Sequence, residues 1–400
     1  MRFRPSRWLA VYGTSFFALS AEGMIGLIVP VVLVDLNASP GAIGILVSLS
    51  ALGPLFLSLP AGALCDRIGD RRVLAICAAG SLITGILYFY VSSLVLFGIL
   101  QLVGGTTRSV GWLAAQSYIG RNVKDSERAV RMGYFTFSAN LGMLLSPPLV
   151  GLLSREFGSR AGFLVMALWS VVLFILTRSL QETPLEHRHR SGKAGVRAMA
   201  EALFGRGLRM AARPAVMVIL VVTFLRLASI GISQSFYPVY LKQHGYSTAS
   251  IGLMFSLMFA ASTMASPLMG ALARLIGSKN VLWVSSALSI GGIVGVAGTG
   301  SALVISGLTL IHGVGIGLSL PALLSEVGAS TGADERGVAM ALRTVVNRLG
   351  YLVMPAALGG LVSVFGMTAA FFVSGVMLSA ILAFAIFLDV RQGKKACQVG

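Results

Sequence analysis

Apolar residues along this chain come in long blocks separated by short polar or basic punctuation. The blocks fall at 8–34, 41–64, 73–92, 94–119, 130–154, 161–180, 214–240, 249–273, 281–299, 302–327, 337–362 and 367–388. Each is close to the ~20 residues a helix needs to cross the hydrocarbon of a bilayer. The pattern predicts twelve membrane helices, with the narrowest break at Ser92 and Ser93, where two blocks nearly fuse. The first block opens like a secretory leader, with the basic MRFRPSR, the apolar WLAVYGTSFFALS and small residues around Ala18 to Ala21. That reading fails because the apolar run continues past Glu22 through GMIGLIVPVVLV and because a counterpart recurs deep in the chain.

The chain repeats itself at an offset of 208 residues without a gap. ERAVRMGYFTFSANLGMLLSPPLVGLLSREFGSRAGF (127–163) lies over ERGVAMALRTVVNRLGYLVMPAALGGLVSVFGMTAAF (335–371) with 15 of 37 positions identical. The same offset sets GALCDRIGDRRVL (62–74) over GALARLIGSKNVL (270–282), Pro30 over Pro238 and Gly44 over Gly252. One register across five helices implies two parallel halves of six helices each. The expected organisation is an N-terminal bundle over 1–180, a polar cytoplasmic segment over 181–213 and a C-terminal bundle over 214–400 with a short tail. The central segment reads equally as an amphipathic surface helix or a linker. Since each half supplies the other's partner, a monomer is expected.

Composition sharpens the class. Only 11% of the 400 residues are charged, 56% are hydrophobic and the mean hydropathy is +0.86. A soluble domain carries about 25% charged residues, so a soluble enzyme is excluded. The net charge of +17 would suit nucleic acid, but Lys and Arg sit between apolar blocks rather than on one solvated face. No nucleic-acid partner is expected, and the lipid bilayer is the partner instead. With the N-terminus inside, 24 basic residues fall on cytoplasmic ends and loops and three (Arg155, Arg160 and Lys242) fall outside. Both termini are therefore expected in the cytoplasm of a multi-pass protein of the bacterial inner-membrane kind. Cys65, Cys77 and Cys397 have no metal or disulfide spacing. His187 and His189, the only paired histidines, lack any catalytic motif around them, so no metal site and no enzyme are expected.

Between the second and third blocks, Gly62-Ala-Leu-Cys-Asp66-Arg67-Ile-Gly69-Asp-Arg71-Arg72 satisfies the pattern G-x-x-x-D-[RK]-x-G-x-[RK]-[RK]. With the twelve blocks and the repeat, the sequence resembles the major facilitator superfamily over nearly its full length. The resemblance implies a fold of two pseudo-symmetric six-helix bundles and a secondary transporter working by alternating access. It also implies that Asp66, backed by Arg67, Arg71 and Arg72, pairs with a neighbouring helix terminus as a conformational latch. The second copy has Arg274 where Asp66 stands, so its latch differs. Proton antiporters of the family carry a glycine-spaced run ending in Gly-Pro on the fifth helix. Gly133, Gly142, Ser146-Pro147 and Gly151 reproduce that spacing, with Ser146 replacing the last glycine. This resembles an exporter, and the alternative is a set of small residues shaping a tightly packed helix. Drug antiporters of the family place an arginine early in the fourth helix, where this chain has Gln101 ahead of Gly104 and Gly105.

Four arginines remain inside blocks: Arg108, Arg226, Arg343 and Arg348. A charge at mid-span costs roughly 2.5–3.5 kcal/mol on insertion scales, which makes such residues functional candidates. In the family, helices 1, 4, 7 and 10 line the central cavity, and these carry Glu22, Arg108, Arg226 and His312. Arg343 and Arg348 lie about 140° apart on an ideal helix, and Arg343 is expected to snorkel to the surface. One carboxylate against several guanidiniums suits an anionic or zwitterionic small organic substrate held by Arg108, Arg226 and Arg348. Trp112 and Tyr237 would add contacts to it, or pack. Glu22 is the first candidate proton carrier and His312 the second, the alternative for Glu22 being a permanent ion pair with Arg108 or Arg226. Glu326 is expected to cap its helix. No cofactor is expected, the proton gradient supplying the energy. Proton antiport exporting such a compound leads, with proton-coupled uptake of an organic anion and export of a siderophore-like chelator as alternatives.

Overall fold

The computed structural model describes residues 5–123, 125–182, 205, 207–332 and 335–399. Among these residues there is no strand. The first six long helices are α1 (Pro5–Asp35), α2 (Pro40–Ile68), α3 (Asp70–Tyr90), α4 (Leu94–Asn122), α5 (Asp125–Phe157) and α6 (Ala161–Arg178). Six more follow: α7 (Pro214–Gln243), which breaks at Phe236, α8 (Thr248–Ile276), α9 (Ser278–Gly298), α10 (Ala302–Ser330), α11 (Arg336–Phe365) and α12 (Met367–Val399). All twelve are long and apolar enough to cross a membrane. The narrow break at Ser92 and Ser93 is real, because α3 stops at Tyr90 and the backbone runs extended through Val91 and Ser93 before α4 begins. Most of the central segment lies outside the described residues, which include only one turn of helix there, Leu208–Ala211.

Large apolar side chains such as Phe56, Tyr90, Val95, Leu303 and Phe384 stand exposed along these helices. In water such a surface would aggregate; in a bilayer it meets lipid tails, and the helices satisfy their own backbone hydrogen bonds. The chain is a multi-pass, all-α membrane protein.

The helices gather into two compact units. Unit 1 comprises Met1–Ala38, Leu46–Val196 and Leu241–Ser256, and unit 2 comprises Ser39–Ile45, Arg197–Tyr240 and Leu257–Gly400. Within unit 1, α1 packs on α4, α5 and α6, and α3 on α4 and α6. Within unit 2, α7 packs on α10, α11 and α12, and α9 on α10 and α12. The 208-residue offset carries the first set of pairings onto the second.

The repeat extends to single atoms. Gly69 ends α2 with φ +92 and Gly277 ends the first part of the corresponding turn with φ +84, a conformation that a Cβ would strain. Small residues also recur where backbones touch. In unit 1, a Cβ on Gly252 would stand 2.5 Å from Pro147 O, and one on Gly151 2.5 Å from Thr248 O. In unit 2, a Cβ on Gly44 would collide with Pro355 O, and one on Gly359 would stand 2.6 Å from Pro40 O. Each of these four contacts maps onto its counterpart at the same offset.

The α1–α5 contact shows why the fifth-helix glycines are spaced as they are. A Cβ on Gly142 would collide with Phe16 O, whereas one on Gly133 would meet nothing within 4 Å. Hydroxyls stitch the same seam: Ser15 donates to Phe135 O at 3.0 Å, Ser138 to Tyr12 O at 2.8 Å and Ser146 to Ser20 O at 2.9 Å. Ser146, which replaces a glycine of the expected run, thus anchors α5 two residues before Glu22. Gly142→Ala is expected to lower stability by about 1–3 kcal/mol through overpacking. Gly133→Ala should leave the thermal unfolding midpoint in detergent unchanged or raised; equal shifts for both would refute the packing argument.

Candidate functional site

Among the described residues, unit 1 holds one ion pair in the depth of its spans. Arg108 Nε on α4 lies 3.4 Å from Glu22 Oε1 on α1, and the side chains are 3% and 38% exposed. Of the alternatives for Glu22, the structure therefore shows Arg108 as its partner. Gly104, one turn before Arg108, makes the arrangement possible. A Cβ there would stand 2.9 Å from Arg108 Nη1, 3.5 Å from the Tyr88 hydroxyl and 3.6 Å from Thr84 Oγ1. Three polar groups thus converge over a bare backbone. Tyr88, fully buried, donates to Gln101 Oε1 at 2.7 Å, so the residue standing where drug antiporters have arginine orients a tyrosine beside Arg108. Arg108 Nε and Nη1 have no hydrogen-bond partner among the described residues. Buried unsatisfied donors of this kind are costly and mark a place for a ligand or water.

In unit 2, Arg226 on α7 donates from Nε to Ser319 Oγ on α10 at 2.9 Å, and the Ser319 hydroxyl donates in turn to Ile316 O at 2.8 Å. On α11, the Tyr351 hydroxyl donates to Gln234 Oε1 at 3.3 Å, and Arg343 is half-buried with an Nε that has no hydrogen-bond partner among the described residues. Arg348 is half-buried on the same helix. His312 is fully enclosed between α9 and α10. Its Nδ1 donates to Ser289 O at 2.7 Å, which fixes the tautomer, and its Nε2 has no partner among the described residues. Backbone crowds it, since a Cβ on Gly292 would stand 2.6 Å from His312 N. Glu326 is buried on α10.

The aromatic candidates are packed side chains. Trp112 stacks on Phe135 with ring centroids 5.4 Å apart, against the cluster of Cys65, Leu74 and Tyr118. Tyr237 is wholly buried and its hydroxyl shares a hydrogen bond of 2.6 Å with Thr309.

At the other candidate motif, Asp66 finds its partner on α4: Arg121 pairs with Asp66 and lies 3.8 Å from the fully buried Asp70. Arg121 lies in the last turn of α4, so Asp66 meets a neighbouring helix end, and Arg71 donates to Thr177 O and Arg178 O at 3.1 Å and so caps the carbonyl end of α6. Arg72 pairs with Glu182 at 3.6 Å. Arg67 is exposed, and a Cβ on Gly62 would meet nothing within 4 Å. The counterpart of Arg71, Lys279, pairs with Asp389 on α12 at 2.8 Å, while Arg274 is exposed.

Sequence reasoning passed over three partners: Arg121, Ser319 and Tyr88. The first had a signal, because Arg121 is the basic residue in the last turn of α4, level with the loop that carries Asp66. Gln101, Gly104 and Arg108 also share one helix face at spacings of three and four. Ser319 carries no signal in one dimension, since a serine in an apolar helix is common.

The sequence profile of the Major Facilitator Superfamily matches residues 11–249 and 219–398. Among curated proteins, the chain is 23% identical over 84% of its length, and 84% of theirs, to multidrug resistance protein 2 of Bacillus subtilis. It is 28% identical to the class B tetracycline resistance protein of Escherichia coli over 46% of this chain and 47% of that one, about half of each. A quinolone resistance protein, NorA of Staphylococcus aureus, is 24% identical over 44% of this chain and 45% of its own. In fold, the chain is similar to the nucleoside transporter NupG, with a TM-score of 0.80, 15% identity and coverage of 96% of this chain and 98% of that one. A D-xylose–proton symporter gives a TM-score of 0.74 at 17% identity, covering 96% of each chain.

Two expectations follow from this geometry. Because Arg108 is the buried partner and Glu22 the half-exposed one, Glu22→Gln should cost about 3 kcal/mol or more, Arg108→Gln less, and the double variant should recover much of the loss. Thermal unfolding in detergent reads all three, and the reverse order would refute the assignment. The enclosed Cys65 thiol is pushed by burial, and secondarily by Asp70, up to about 12, so it stays protonated and unreactive from pH 7 to 9. In a Cys77→Ser, Cys397→Ser background, maleimide labelling of Cys65 should be negligible and should accelerate when Asp66→Asn breaks the pair with Arg121; labelling unaffected by that change would remove the latch.

Proposed function

The chain belongs to the Major Facilitator Superfamily, and on that premise we propose that this membrane transporter exports a small anionic or zwitterionic organic compound by proton-coupled alternating access. The protein is a transporter and not an enzyme. The observation that carries the finer reading is the Glu22–Arg108 pair, a carboxylate and a guanidinium brought together at mid-span.

Its chemistry supplies a coupling rule. Ionised Glu22 and Arg108 present opposite charges that a zwitterion can bridge, its oxyanion on the guanidinium and its cationic group on the carboxylate. Protonating Glu22 removes the place for the cationic group, so proton and substrate exclude one another at Glu22, which is the rule that exchange of one for the other requires. Arg108 Nη1, a buried donor without a hydrogen-bond partner among the described residues, provides a directional hydrogen bond to an arriving oxyanion. Glu22, half-exposed, is better placed to exchange a proton than His312, which is walled in between α9 and α10 and serves packing. No cofactor enters this scheme. The excess of Lys and Arg on one side supports cytoplasmic termini and an inner-membrane location, and the two repeats support a monomer whose bundles span 1–180 and 214–400.

Export is favoured over uptake by the fifth-helix run, where Gly142, Ser146 and Gly151 each mediate a close contact. The resistance proteins it resembles make tetracycline and a quinolone, both zwitterions near neutral pH, suitable first probes. In everted vesicles energised to an acid interior, adding a transported compound should release protons in the unmodified protein. Glu22→Gln should abolish that release, whereas His312→Asn should retain it with reduced protein yield. Normal proton release by Glu22→Gln would sink the coupling scheme, and accumulation driven only into right-side-out vesicles would assign uptake.

A further inference from the structure

The three hydroxyls that stitch α1 to α5 have no equivalents at the same places in unit 2. At the 208-residue offset Ser15, Ser138 and Ser146 correspond to Thr223, Val346 and Met354. Thr223 donates to Ile219 O of its own helix, and the side chains of the other two cannot donate at all. Yet α7 and α11 pack closely: a Cβ on Gly350 would stand 2.7 Å from Leu227 Cβ, and one on Gly231 3.3 Å from Met354 Cβ. Small residues alone therefore hold that crossing, and the stitches of unit 1 serve something else. What unit 1 has here and unit 2 lacks is a carboxylate, since Glu22 corresponds to Ile230.

Ser146 is the stitch nearest to that carboxylate. Its hydroxyl donates to Ser20 O at 2.9 Å, and a Cβ on Gly23 would stand 2.9 Å from Ser146 Oγ, 3.3 Å from Met143 O and 3.4 Å from Pro147 Cγ. Pro147 has no N–H, so Met143 O lacks its usual helical donor and abuts Gly23 instead. Successive residues of a helix point about 100° apart, so a seat at Gly23 fixes the direction in which Glu22 leaves α1, towards Arg108 on α4. The same stretch of α5 is also held by α8. Pro148 deprives Leu144 O of its helical donor in the same way, and that carbonyl accepts the hydroxyl of Ser256, while Gly252 rests on Pro147 O.

We propose that Ser146, seated with Pro147 on Gly23, is a positioning residue that holds Glu22 at Arg108, and that the start of α8 bears on this pair through Ser256 and the same stretch of α5. It rests on the coupling reading only in taking Glu22 as the proton carrier. A hydroxyl that merely glued two helices would contribute the same amount with or without the Glu22–Arg108 pair, whereas one that positions Glu22 contributes through the pair and loses that share when the pair is gone. Ser138 is the internal control, because it makes the same kind of bond across the same seam, to Tyr12 O, far along α1 from Glu22.

Thermal unfolding of the full chain in detergent, read without flux, tests it. Ser146→Ala, Ser146→Gly, Ser256→Ala and Ser138→Ala are each made in the unmodified protein and in a Glu22→Gln, Arg108→Gln background, where the pair is replaced by neutral side chains of similar shape. Ser146→Ala should lower the midpoint, and at least about half of that loss should vanish in the background without the pair. Ser146→Gly, which restores the glycine of the run and removes only the hydroxymethyl group, should do the same, and Ser256→Ala should show a smaller share of the same dependence. Ser138→Ala should cost equally in both backgrounds. Equal losses for Ser146→Ala in both, or a loss for Ser138→Ala that vanishes as that of Ser146→Ala does, overturns the proposal, and a fully additive Ser256→Ala removes α8 from it. In everted vesicles, the pH profile of transport-linked proton release should move in Ser146→Ala and stay in Ser138→Ala, and an unmoved profile in the former overturns the proposal as well. Absence of proton release from every variant and from the unmodified protein, with the unfolding dependence intact, would strike the transport reading alone.

Discussion

A guanidinium held at the depth of a bilayer has no water to solvate it, so its position is decided by what answers its charge. Arg108 is answered by Glu22, a residue on a different helix and 3.4 Å away. That single requirement sets the geometry around it. It fixes the rotation of α1 against α4, calls for a bare backbone at Gly104 where the guanidinium folds back, and gives Tyr88 and Gln101 a reason to be buried together. It also depends on the α1–α5 seam, because Ser15, Ser138, Gly142 and Ser146 hold the helix that presents Glu22.

Packing and charge divide the protein in an informative way. The packing is symmetric: Gly252 on Pro147 repeats as Gly44 on Pro355, and Gly151 on Thr248 repeats as Gly359 on Pro40. The charges are not. At the 208-residue offset Glu22 corresponds to Ile230, Arg108 to Ile316, Arg226 to Ala18, Arg343 to Phe135 and His312 to Gly104. Backbone approach tolerates only small residues at crossings, so both halves keep them. Mid-span charges are expensive, and among the described residues Arg108 is answered by a carboxylate, Glu22, whereas Arg226 is held by the Ser319 hydroxyl.

Much of the architecture was legible in one dimension. The twelve spans agree with the helices, the break after Tyr90 included, and the repeat register set Gly44 over Gly252, each of which packs on a proline carbonyl of its own unit. Gly69 was legible as a motif residue, and its positive φ supplies the reason. The site was legible in kind more than in arrangement. Glu22 and Arg108 stood out because charge is rare in such a chain, yet nothing local distinguished Arg108 from Arg226 as the partner. Arg343 read as a snorkelling residue near a helix end, and it is half-buried with its Nε enclosed. Trp112 and Tyr237 read as packing or lipid-interface side chains ahead of binding ones, and one is stacked on Phe135 and the other wholly enclosed.

The sequence by itself determined how many helices there are, that they lie in a membrane, and that the two halves share one plan, because length, hydropathy and register are properties of the chain taken in order. Tertiary structure alone decided who answers whom: Arg121 for Asp66, Ser319 for Arg226, Ser289 for His312, and Glu22 for Arg108. Electrostatics and hydrogen bonding act through space over a few ångströms, and in this chain the partners lie 23 to 93 residues apart, so no local pattern of residues could have assigned them.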